Sequence, residues 1–166
     1  MSKGLKFKVL NKEGDYSHFV RLTLRGFELD GRNMLDKDKI LISGNKITIA
    51  VNYPLNDEYI FDITIDKRSN FTRFILAKVI SKLYQLIYRE EKETSILPIE
   101  SMTERYDRIC SRRPKMMNGH PSCEKYDIWD HDLGDLVLRK VYYDSNRDLY
   151  TLGIDSQKFL FQYFVL

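Results

Sequence analysis

Alternating apolar and polar positions open the chain and predict β-strands. Over 5–9 every second residue is apolar and the residues between them are lysines, and an extended pattern resumes over 18–24. The polar stretch 11–15 between these segments has turn chemistry around Gly14. Together they predict a first β-hairpin, which is followed by a polar turn at 30–33.

Two further hairpins are predicted by runs of β-branched and aromatic residues. The break around Pro54 separates the strands of the second hairpin, and the polar segment 144–148 turns the third. The expected strands are 40–42, 47–52, 58–66, 136–143 and 149–154.

One long amphipathic helix has the clearest periodicity in the chain. From about 70 to 90, apolar residues recur at spacings of three and four, with cations on the other side. Ser69 or Asn70 can cap its start. A short helix is expected over about 102–111, because Ser101 and Glu104 have capping-box spacing.

These elements predict an α+β fold. Antiparallel β-hairpins form one or two sheets, which pack against the long helix; no regular alternation of strand and helix supports a doubly wound parallel sheet. The 166 residues fit a single domain that spans 1–166.

Composition places the chain among globular proteins inside a cell. It is 43% hydrophobic and 31% charged, with four prolines and eight glycines. Two cysteines and no apolar leader indicate reduced thiols. The longest apolar run, 159–166, is far shorter than the about 20 residues that a membrane-spanning helix needs, so no membrane partner is expected.

The formal charge of +3 is too small to indicate nucleic acid by itself, but charge is clustered locally. Six basic and three acidic residues lie in 101–125, whereas 126–135 holds four aspartates and no base. The basic run could grip phosphate or act as a nuclear address. The alternative is a solvated face whose arginines pair with the aspartates. The candidate nucleic-acid contacts are Arg105, Arg108, Arg112, Arg113 and Lys115.

A zinc site is a second hypothesis. Two thiolates and two imidazoles would suit tetrahedral zinc, but their separations of nine, two and seven intervening residues match no known finger. The alternative is two ordinary thiols near a loop. The candidate ligands are Cys110, His120, Cys123 and His131.

Chemistry at His131 is a third hypothesis. The surrounding carboxylates could make it a general base or hold a divalent cation, in a metal-dependent or histidine-based hydrolase. Acids before a strand are commonly turn and capping groups, and no catalytic residue is assigned. The acids are Asp127, Asp130, Asp132 and Asp135.

The C-terminal tail must be buried in its own sheet or in a partner subunit, because seven of its last eight residues are apolar. It predicts a homo-oligomer, such as a dimer. The expected interface residues are Phe159, Phe161, Tyr163 and Phe164.

The stretch from about 120 to 156 resembles uncharacterised proteins of giant DNA viruses of amoebae, the Marseillevirus and Mimivirus groups. The resemblance rests on Trp129-x-His131, Asp135-Leu136-x-Leu138, Tyr142-Tyr143 and a closing strand that ends near Ser156. It implies a viral protein in the virion or in the host cytoplasm, viral factory or nucleus. The leading hypothesis is therefore a non-enzymatic protein that contacts viral or host proteins and self-associates.

Overall fold

The computed structural model describes residues 4–94, 101–103, 125–129 and 131–157. It contains two α-helices, ten strands and one 3-10 turn at Leu133–Asp135. The helices are α1 (Leu24–Arg32) and α2 (Arg73–Thr94). The strands are β1 (Leu5–Lys6), β2 (Val9–Leu10), β3 (Tyr16–Ser17), β4 (Val20–Arg21), β5 (Ile40–Ile42), β6 (Lys46–Val51), β7 (Tyr59–Thr64), β8 (Phe71–Thr72), β9 (Leu136–Asp144) and β10 (Leu149–Ser156).

A six-stranded sheet in the order β1-β9-β10-β6-β7 is the centre of the fold, and β4 also pairs with β9. The α+β class is confirmed, as are the hairpins β6–β7 and β9–β10. Of the first expected hairpin only the short pair β2–β3 forms around the turn at Gly14, because β1 and β4 pair with β9 instead of with each other. Two other features differ from the expectation. β6 and β10 pair in parallel, and β2–β3 and β5–β8 form separate two-stranded sheets. The alternation of residues within a strand carries no information about a partner that lies a hundred residues away.

The long helix α2 packs against the sheets. Its buried face contributes Leu76, Ile80, Tyr84 and Ile87 to one hydrophobic cluster. The sheet contributes the side chains of one face of its strands, which are Ile49, Val51, Leu138 and Val141. The opposite sheet face carries polar side chains at one edge, among them Lys6 and Lys140.

Helix α1 replaces the strand end and the turn that were expected between 18 and 33. The extended segment ends at Arg21, and the Thr23 hydroxyl caps the helix by accepting from the Gly26 amide at 3.1 Å. Its two glycines weaken the helical signal, but Gly31 is needed for close packing. A Cβ there would lie 2.7 Å from the ring of Phe74 on α2.

The bounds of α2 also differ from the expected ones. The Thr72 hydroxyl accepts from the Ile75 amide at 3.2 Å, whereas the Asn70 side chain accepts from Gly44 at 2.8 Å. The helix continues through its acidic end to Thr94, because Glu91 is buried and bonded there. Of the expected short helix, Met102 and Thr103 are helical, and 104–111 lies outside the described residues.

No helix in the described part of the chain is both long and apolar enough to cross a bilayer.

Candidate functional site

Most of the residues predicted from the sequence to form sites lie outside the described part of the chain. The nucleic-acid, zinc and interface hypotheses therefore stay predictions. The residues concerned are Arg105, Arg108, Arg112, Arg113, Lys115, Cys110, His120, Cys123, Phe159, Phe161, Tyr163 and Phe164.

His131 is the one predicted ligand that the structure describes, and it is buried, with 8% of its surface exposed. Its Nε2 atom lies 2.6 Å from the Tyr53 hydroxyl, and its backbone carbonyl accepts from the Tyr88 hydroxyl at 2.7 Å. Tyr84 donates to the Tyr53 carbonyl at 2.6 Å. These bonds hold the histidine between α2 and the loop after β6.

Two of the carboxylates near His131, those of Asp132 and Asp135, cap the backbone. They form a capping box on the 3-10 turn, because the Asp132 carboxylate accepts from the Asp135 amide and the Asp135 carboxylate accepts from the Asp132 amide at 3.1 Å. Asp132 also accepts from the Leu133 amide at 2.7 Å. Asp135 also accepts from Met102 at 3.2 Å. Within the ranges that the structure describes, no three His, Cys, Asp or Glu side chains are arranged to hold a metal. The hydrolase hypothesis stays a prediction.

Trp129 fastens the same segment to the loop after β6. Its amide donates to the Pro54 carbonyl at 2.8 Å, and its indole N–H donates to Asn56 Oδ1 at 3.3 Å. The Asn56 amide in turn donates to the Tyr126 carbonyl at 3.3 Å. The segment 126–129 is thus attached by hydrogen bonds as well as by apolar packing.

A different cluster of charged side chains forms an open groove on the sheet, with a volume of about 520 Å³. This volume is within the range of about 300–1,000 Å³ that is usual for ligand sites. The groove, which we call the cationic groove, is lined by Lys6, Phe7, His18, Arg139, Lys140, Tyr142, Gly153, Ile154 and Asp155.

Strand register brings two lysines of the groove face to face. Leu5 and Val141 are directly opposed and belong to the core, so the next pair, Lys6 and Lys140, points to the other face of the sheet. Like charges that are directly opposed destabilise a sheet. The pair therefore favours an anion in the groove.

A β-bulge adds a third cation. Gly153 is opposite Lys140 and Ile154 is opposite Leu138, so Arg139 is the extra residue of β9. The bulge places Arg139 in the groove beside Lys140 rather than on the opposite face. Arg139 Nη1 lies 3.1 Å from Asp155 Oδ2, and both side chains are partly exposed. Among the residues that the structure describes, the lining thus has three permanent cations and one carboxylate.

The Tyr142 ring is part of the groove lining and lies between two glycines of the neighbouring strands. A Cβ on Gly4 would be 2.8 Å from ring atom Cε1, and a Cβ on Gly153 would be 3.4 Å from Cε2 on the other edge. Gly4 precedes β1 and Gly153 belongs to β10, the two neighbours of β9. The ring therefore reaches across the backbone of both adjacent strands.

The sequence contained a signal for this groove. Arg139 and Lys140 are consecutive cations in the middle of an otherwise apolar and aromatic strand, which breaks the expected alternation. Clustering of basic residues along the chain instead predicted a site at 105–115. Arg139 and Lys140 lie close to Lys6 only because β1 pairs with β9, and the pattern of apolar and polar residues does not predict this pairing.

Comparison with known proteins gives no significant match to a family model, a curated protein or a solved structure. The resemblance to giant-virus proteins stays a prediction, and the functional argument rests on the geometry of this chain.

Proposed function

We propose that this protein is a non-enzymatic binding protein that contacts the phosphate backbone of a nucleic acid through the cationic groove. The observation that carries the proposal is the convergence of Lys6, Lys140 and Arg139 on one face of the sheet. Phosphate oxygens would place negative charge beside the two opposed lysines and offset their mutual repulsion.

Internal pairing accounts for only part of this arrangement. In the described part of the chain, Asp155 is the single carboxylate of the lining, and it forms its ion pair with Arg139. Lys6 and Lys140 remain opposed whether or not that pair forms. A purely structural role would favour an acid or a neutral residue at one of the two positions, because such a residue removes the repulsion.

Salt dependence of binding tests the proposal. Single-stranded binding weakens with salt by a slope of about −0.7 for each phosphate contact, so three contacts predict a slope of about −2. Affinity for a labelled oligothymidylate, measured by fluorescence anisotropy, should fall about 20-fold between about 50 and 200 mM salt. For the double variant Lys6→Gln/Lys140→Gln, we expect weaker binding and only about a threefold fall over the same range.

A matched variant separates local from overall charge. Lys46→Gln/Lys67→Gln removes the same charge from exposed positions outside the groove, and it should bind like the wild type. The groove variant should be at least as stable as the wild type, because it removes a like-charge pair. Equal binding by both double variants, or binding of neither the oligothymidylate nor a DNA duplex at low salt, would show that the groove is not a nucleic-acid site.

A further inference from the structure

We propose that Tyr142 is a stacking platform for a nucleobase, so that the ligand of the cationic groove is a single-stranded nucleic acid. This inference rests on the proposed function and names its ligand class. The supporting geometry is the half-buried ring of Tyr142 in the lining of the groove, between Gly4 and Gly153 and beside the three cations.

The two glycines explain how the ring comes to lie flat. A side chain at Gly4 would overlap one ring edge, and a Cβ at Gly153 would be in van der Waals contact with the other edge. Since the two edges approach the backbone of the two neighbouring strands, we infer that one ring face is turned toward the sheet and the other toward the groove. An aromatic face on a sheet, next to cations that follow a phosphate backbone, is the arrangement by which proteins bind single strands.

A duplex fits this arrangement poorly. Its bases are stacked on one another, and only their edges reach the grooves of the helix. The bases of a single strand are unstacked and can lie on an aromatic ring. Each such contact with an aromatic side chain contributes about 1–3 kcal/mol, so its loss should weaken binding about tenfold or more.

A structural role for Tyr142 makes a different prediction. An aromatic ring can simply cover the backbone of glycines in a sheet. In that case its replacement would change the shape of the groove for every anion alike. The experiment therefore compares a ligand that has bases with one that has only phosphates.

The test uses an oligothymidylate of about 12 nucleotides, a DNA duplex of the same length and inorganic polyphosphate, with the full chain at low salt. Tyr142→Leu covers the glycines but offers no aromatic face, whereas Tyr142→Phe retains one. We expect Tyr142→Leu to lose about tenfold or more in affinity for the oligothymidylate and to bind polyphosphate unchanged. Tyr142→Phe should bind the oligothymidylate like the wild type, and the duplex should bind the wild type more weakly than the single strand does.

Tyr143 provides the matched control. It is the next residue of β9, its ring contacts Tyr150 at a centroid distance of 5.1 Å, and it does not line the groove. Tyr143→Leu should bind all three ligands like the wild type. Two outcomes would overturn the platform and leave the proposed function standing. One is that Tyr142→Leu loses the same affinity for polyphosphate as for the oligothymidylate. The other is that the wild type binds oligothymidylate and polyphosphate with equal affinity. Failure of the wild type to bind any of the three would overturn both.

Discussion

Replacing Glu91 with alanine should lower the free energy of unfolding by about 2–4 kcal/mol. The side chain has 0% of its surface exposed and accepts a hydrogen bond from the Tyr126 amide at 2.9 Å. A hydrogen bond to a charged acceptor contributes about 1.5–3 kcal/mol, and the buried amide left without that acceptor adds a desolvation cost. The shortened side chain also leaves a cavity in the packed interior.

Urea denaturation of matched variants measures this effect. Glu93→Ala removes the same atoms from an exposed position of α2 and should change stability by less than about 0.5 kcal/mol. Glu91→Gln keeps an oxygen that can accept from Tyr126, so its loss should be smaller than that of Glu91→Ala. A loss in Glu91→Ala no larger than that in Glu93→Ala would show that the buried contact contributes nothing to stability.

The Glu91 contact also has a consequence for the groove. It attaches α2 to the segment 126–129, which is fastened in turn to the loop after β6 and leads into β9. Strand β9 supplies Arg139, Lys140 and Tyr142. The buried glutamate thus stabilises the support of the groove from the opposite side of the sheet. We expect it to act on binding only through stability.

Local pattern was sufficient to predict the long strands β6, β7, β9 and β10 and the long helix, but not β8, whose residues Phe71 and Thr72 were expected to be helical. The apolar stripe of α2 and the alternation in β6, β7, β9 and β10 each report which face of an element is buried. Helix α1 was not predicted, because Gly26, Asp30 and Gly31 weaken its helical pattern. Tertiary contacts explain two of these residues. The Arg21 guanidinium donates a hydrogen bond to Asp30 at 2.6 Å, and Gly31 lets α1 approach Phe74.

The candidate site was harder to predict than the fold. The cationic groove needs the register that places Lys6 opposite Lys140 and the bulge that turns Arg139, and both are properties of strand pairing. A site at His131 was predicted because the acidic residues around it are close together in the sequence. The expectation that such acids cap turns agrees with Asp132 and Asp135, whose carboxylates form the capping box.

Alkaline pH should destabilise the protein through two buried tyrosines of α2. Tyr84 and Tyr88 have 0% and 2% of their surface exposed, and both donate hydrogen bonds to backbone carbonyls. Burial disfavours the phenolate and raises the pKa of both groups well above the ordinary value of 10. The folded state therefore keeps two protons that the unfolded state releases above about pH 10.

The sign of the effect follows from this difference. Because the pKa values are raised on folding, their contribution is fully present below the unfolded pKa and is lost as the pH rises above it. Each group should cost about 1.4 kcal/mol per pH unit above about pH 10, and the two together about 2.7 kcal/mol. Urea denaturation at intervals between about pH 8 and pH 11.5 measures this slope.

Tyrosine-to-phenylalanine variants isolate the contribution of each group. Tyr84→Phe loses a hydrogen bond of about 1 kcal/mol at neutral pH but has no phenol to titrate, so its stability should fall less steeply with pH than that of the wild type. The two curves should cross about one pH unit above the ordinary tyrosine pKa, beyond which the variant is the more stable protein. Tyr16→Phe, at a position that is 45% exposed, should keep the wild-type slope. Parallel curves for Tyr84→Phe and the wild type would show that the Tyr84 hydroxyl ionises in the folded protein as readily as in the unfolded one.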